Sequence, residues 1–104
     1  MSSLLHRQMQ FSRMVALLIL KAEVLGYTVT LGDAYRYPDC PYGHKNSNHK
    51  RRLAVDLNVF KDGVYLDKSG QYDDLIDWWV SIGGASGRGF GDDNHFSLLH
   101  GEVI

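Results

Sequence analysis

The sequence predicts a small α+β domain, with two amphipathic helices set among short strands. Three patterns carry that reading. Phe11, Met14, Val15, Leu18, Ala22 and Leu25 repeat at helical spacing and form one apolar stripe. Residues 53–60 alternate with a period of two, as do residues 95–98. Leu75, Trp78, Trp79 and Ile82 make a second, shorter helical pattern.

The elements follow in order. Leu17, Ile19 and Leu20 widen the first stripe, so this helix is expected to be well buried, with Gly26 as its stop. In residues 27–31, Tyr27, Val29 and Leu31 point one way and Thr28 and Thr30 the other, as in a half-buried strand. Residues 32–50, rich in Pro, Gly, Asn and Tyr, read as a loop, and so long a loop in a small domain is usually functional. In the next strand Leu53, Val55, Leu57 and Val59 share one face, and Ala54, Asp56, Asn58 and Phe60 the other. Asp62-Gly63 is a hairpin turn signal, and residues 64–66 return. Asp73 and Asp74 suit the start of the second helix, and Gly83-Gly84 its end. The two Trp read as core. A Gly/Ser-rich loop leads to the last strand, where Phe96 and Leu98 oppose His95 and Ser97.

At 104 residues the chain is read as one domain, residues 1–104. Its 44% hydrophobic and 22% charged residues are those of an ordinary globular protein. A net charge of -1 gives no argument for nucleic acid or an anionic membrane. The basic run at residues 45–52 reads as a solvated or substrate-facing loop. Cys40 is the only cysteine, which excludes an intrachain disulfide and cysteine-rich zinc sites. It reads as a small loop residue between Pro38 and Pro41. The apolar run at residues 14–20 is too short to span a membrane, and Lys21 and Glu23 follow it without a cleavage site. No export signal or membrane insertion is therefore expected.

His49, Asp56 and His95 are the candidate metal ligands. Two His and one carboxylate form a zinc set that leaves one coordination position for water, which points to hydrolysis. Spacing alone favours ordinary surface histidines and an exposed strand carboxylate. The phasing of Asp56 and His95 away from the apolar rows points to a site. Asp92 is the candidate general base, with Asp93 a neighbour that could substitute or a solvated acid. Arg36 is the candidate stabiliser of a developing oxyanion, although an Arg in a polar loop is often only solvated.

Together these residues form a longer pattern: Tyr35-Arg36, then Ser47-Asn48-His49 with six residues before Asp56, then Asp92-Asp93-Asn94-His95. It resembles the zinc peptidases that include D-alanyl-D-alanine carboxypeptidases and dipeptidases and the L-alanyl-D-glutamate endopeptidases of phage endolysins. The match spans residues 35–95. The resemblance implies Zn²⁺ on His49, Asp56 and His95, Asp92 as base and Arg36 beside the intermediate. Ser47 and Tyr35 would support the site or touch substrate. The implied fold is a small α+β domain with a central antiparallel sheet packed against helices and the zinc site on its open face, and the implied substrate is a peptidoglycan peptide containing D-residues.

Two positions depart from that family. Gly is common where this chain has Arg52, so a turn with positive φ would strain Arg52. Related endopeptidases often carry a hydrophobic residue and then Glu after the last His; here Phe96-Ser97 supplies no carboxylate.

The leading expectation is a monomeric phage-lysis type of endopeptidase. It would be made in the cytoplasm without a signal peptide and act on the wall after release by a lysis system. The alternatives are a D-Ala-D-Ala carboxypeptidase or dipeptidase, a catalytically silent zinc-containing binding module, and a metal-dependent nuclease prompted by His44 and His49 among basic residues. The nuclease lacks a basic surface and a second acidic cluster.

Overall fold

The computed structural model describes residues 3–37 and 47–99. Cys40, His44 and Lys45, and with them the expectations for the middle of the 32–50 loop, lie outside the described residues. The described elements are α1 (Leu4–Val24), β1 (Thr28–Leu31), a 3₁₀ turn (Asn48–Arg51), β2 (Ala54–Lys61), β3 (Val64–Tyr65), α2 (Asp73–Ser81), β4 (Ala85–Gly87) and β5 (Asp92–Ser97). They form the expected α+β architecture. The sheet runs β1-β2-β5-β4, with β3 also on β2, and every pair is antiparallel.

Helix α1 starts at a Ser3 cap, whose Oγ accepts from His6 N at 3.2 Å. Its buried side chains are Phe11, Met14, Leu18 and Ala22, a narrow stripe at helical spacing. The wider stripe expected from Leu17 and Leu20 is not found: they are 52% and 62% exposed. One helix face suffices, because α1 meets the rest of the core on one side only. Tyr27 is buried and Val29 half-buried, but Leu31 is 69% exposed. It lines a surface cleft of about 480 Å³ with Phe11, Val15, Tyr35 and Arg52 instead of entering the core.

Strand β2 is the spine. Leu53, Val55, Leu57 and Val59 are buried on one side, and Asp56, Asn58 and Phe60 are half-buried on the other. The Asp62-Gly63 turn has positive φ at both residues, 52° and 78°, as a tight hairpin requires. Trp79 is fully buried and meets Phe11 and Phe96 edge-on, with centroids 6.0 and 5.9 Å away. Its indole N–H donates to the carbonyls of Ala85 and Ser97, at 2.9 and 3.2 Å. Trp78, also expected in the core, is half-buried against it.

Two elements escaped sequence reading. Strand β4 was hidden in the Gly/Ser-rich stretch after α2. Gly84 lies so close to the Trp79 indole that any side chain there would collide with it. The second is the 3₁₀ turn, inside the segment read as loop. It ends at Arg52 with φ 58° and ψ 36°. The positive φ that would strain a non-glycine residue is therefore present, and the Arg52 guanidinium stacks 4.1 Å over the Tyr35 ring.

These opposing terms predict a ranking. Arg52→Gly relieves the strain but loses the stack, whereas Arg52→Ala loses the stack and keeps the strain. Arg52→Gly is expected to be about 1 kcal/mol more stable than Arg52→Ala in urea unfolding. Equal stabilities would contradict the strain.

Candidate metal centre

The register of β2 and β5 places Asp56 directly across from His95. Cross-strand partners project to the same face, so both side chains rise from the side of the sheet opposite the aliphatic row. His49 arrives from the 3₁₀ turn. That turn is capped by Ser47, whose Oγ accepts from His49 N at 3.2 Å.

The three side chains converge. Asp56 Oδ1 lies 3.2 Å from His49 Nε2 and 3.6 Å from His95 Nδ1. One ligand atom from each residue falls within 4.8 Å of the others. Two ligands on tetrahedral zinc, each about 2.1 Å from the ion, sit about 3.4 Å apart. The separations from Asp56 Oδ1 to the two imidazole nitrogens bracket that distance.

The donor chemistry also fits. His49 Nδ1 is 2.9 Å from the Ala34 carbonyl. Donation there fixes the tautomer and leaves Nε2 with its lone pair toward Asp56. Asp56 Oδ1 is buried and has no hydrogen-bond donor, despite its close imidazole neighbours. A buried carboxylate oxygen without a donor is costly, and a cation shared with the two imidazoles would satisfy it. The group could therefore hold a metal ion.

The metal-free electrostatics are those of an ion pair. Burial works against charge on both partners. It pushes Asp56 up, but the close approach and charge of His49 and His95 outweigh it, and the carboxyl is held down at about 2. Burial pushes His49 down, but Asp56 and the Ala34 carbonyl outweigh it, and its pKa ends above the usual 6.5.

The other expected residues take distinct places. Asp92 Oδ2 is 4.0 Å from His95 Nδ1, and its side chain is 55% exposed, at the rim of the cluster. Asp93 turns elsewhere and accepts from Gly70 N at 3.1 Å. Arg36 is tied to the cluster through its backbone, which donates to the His49 carbonyl at 3.0 Å. Its guanidinium is 10% exposed and lies 3.3 Å from Asp33, and its charge opposes protonation of His49. Ser47 supports the turn. Tyr35 is 47% exposed and stacks with Arg52 on the neighbouring cleft.

Sequence reasoning missed three supports. Asn48 is fully buried and donates from Nδ2 to the Leu98 carbonyl at 2.9 Å, tying the turn that carries His49 to the end of β5. Gly32 lets β1 approach the site, since a Cβ there would stand 3.2 Å from Asp56 Cβ. A Cβ at Gly87 would stand 3.1 Å from His95 Cβ. The two glycines were visible in the sequence, but their neighbours were not.

The chain matches no family model and no curated protein sequence. Among the described residues, no helix is long and apolar enough to cross a membrane.

The ionisation of the cluster sets opposite pH slopes. In the metal-free protein, the depressed Asp56 contributes stability above 3.8 that is lost as pH falls toward about 2. The raised His49 contributes stability below 6.5 that is lost as pH rises through its higher folded value. Metal binding needs neutral imidazoles, so stabilisation by zinc grows as pH rises. Melting scans from about pH 5 to about pH 8 are expected to show the zinc-induced rise in Tm growing while the cluster's metal-free contribution shrinks. A zinc effect that is flat or falls with pH would contradict these assignments.

Proposed function

We propose that this protein is a zinc peptidase that hydrolyses an amide bond in bacterial peptidoglycan peptides, of the L-alanyl-D-glutamate endopeptidase type. One observation carries the reading. A His49–Asp56–His95 cluster that could hold a metal ion has a fourth polar side chain, Asp92, at its rim and outside the three. The resemblance over residues 35–95 supplies the substrate class.

A zinc ion on the cluster would supply an open coordination position and lower the pKa of water there toward about 7. Asp92 is exposed enough to exchange protons with a substrate. It takes the proton of the attacking water and passes it to the leaving amine. Arg36, whose backbone donates to the His49 carbonyl, would supply positive charge to the developing oxyanion. The Ala34 carbonyl keeps His49 oriented throughout.

A second reading shares the metal but not the chemistry: a zinc-containing binding module. The left-handed Arg52 and the absence of a carboxylate at position 97 favour it. One variant separates the two. Asp92→Ala is expected to retain zinc and lose at least about 100-fold in hydrolysis, measured by mass spectrometry of wall peptides. No cleavage by the zinc-loaded wild type would favour the binding module. Cleavage unchanged in Asp92→Ala would remove Asp92 from the mechanism.

A further inference from the structure

We infer that the Ser97 hydroxyl is the hydrogen-bond acceptor that orients His95 on its metal, directly or through one water; the inference rests on the metal reading above. His95 turns Nδ1 toward Asp56, so Nε2 is its remote nitrogen. When Nδ1 ligates, Nε2 must carry the proton, and ligating imidazoles almost always donate that proton to a partner.

His95 Nε2 and Ser97 Oγ are both buried, and both lack a hydrogen-bond partner. They sit two residues apart on β5, on the face opposite Phe96. Ser97 has no polar side chain beside it across the sheet. Its cross-strand neighbours are Ala54 on β2 and Ala85 on β4. Along its own strand, the neighbour on that face is His95.

The geometry permits the bond. Same-face neighbours on a strand are about 6.6 Å apart along the backbone. One bridging water, with two bonds of about 2.8 Å, spans up to about 5.6 Å, and the tilt of the imidazole along the strand makes up the remainder. The carboxylate that related endopeptidases place here would add a charge; Ser97 supplies an acceptor without one.

The effect is two-signed, which separates positioning from a structural role. In the metal-free protein the buried hydroxyl lacks a partner, so its removal should not destabilise. With zinc bound, its removal leaves the Nε2 proton without an acceptor. Ser97→Ala is expected to weaken zinc affinity about tenfold or more in a competitive chelator titration, with a metal-free Tm equal to or above wild type. Nitrogen-15 NMR of the zinc-loaded wild type should show a His95 Nε2 proton protected from exchange, and this protection should be lost in Ser97→Ala. Ser97→Thr, which keeps the hydroxyl, should retain the protected proton.

Unchanged affinity in Ser97→Ala, or lower affinity together with a lower metal-free Tm, would overturn the inference while leaving the metal reading intact. Failure of the wild type to bind zinc would overturn both.

Discussion

The site depends on the antiparallel register that sets Asp56 opposite His95. A slip of β5 by one residue would turn His95 toward the core while Asp56 stayed on the other face, and dismantle the cluster. The register is held from the other side of the sheet. Leu53, Leu57 and Phe96 are fully exposed to no solvent at all, and each such burial contributes about 1.5–3 kcal/mol. Trp79 reinforces it by bonding the carbonyls of Ala85 on β4 and of Ser97 on β5, the strand that carries His95. Burial of apolar groups on one face thus determines the geometry of polar groups on the other.

His49 is positioned by different means. It comes from a short turn, where regular sheet pairing cannot place it. Hydrogen bonds do so instead: the Ser47 cap, the Asn48 side chain on the Leu98 carbonyl, and the Ala34 carbonyl on the ring. The left-handed Arg52 ends the turn and lets Leu53 start the buried row at once. Collecting two imidazoles and a carboxylate in a largely buried cluster is costly unless something satisfies their lone pairs. A divalent cation would do so for all three, and the group could hold one.

Legibility in the sequence followed the periodicity. Strand β2 was clear because eight residues alternate and the polar half includes Asp56. The hairpin was clear because Asp62-Gly63 demands its turn. Strand β4 was hidden because Ala85, Ser86 and Gly87 carry no apolar signal; it exists because β5 offers an edge beside Trp79. Leu17, Leu20 and Leu31 misled because hydrophobicity alone does not say which side of a helix or strand end meets a neighbour. At the site, residue types, the strand phasing of Asp56 and His95, and the family resemblance singled out the three residues that the fold brings together. The buried Asn48, the Ala34 carbonyl and the close approach of Gly32 depend on tertiary contacts, and nothing in a linear pattern marks them.

The central claim is that His49, Asp56 and His95 bind one ion together. X-ray absorption at the zinc edge, on protein loaded with one equivalent, tests it most directly. The account predicts a first shell of nitrogen and oxygen at about 2.0–2.1 Å, the outer-shell pattern of two imidazoles, and no sulfur. Asp56→Ala should abolish stoichiometric loading. A sulfur shell, implicating Cys40, a spectrum without two imidazoles, or loading unaffected by Asp56→Ala would contradict it.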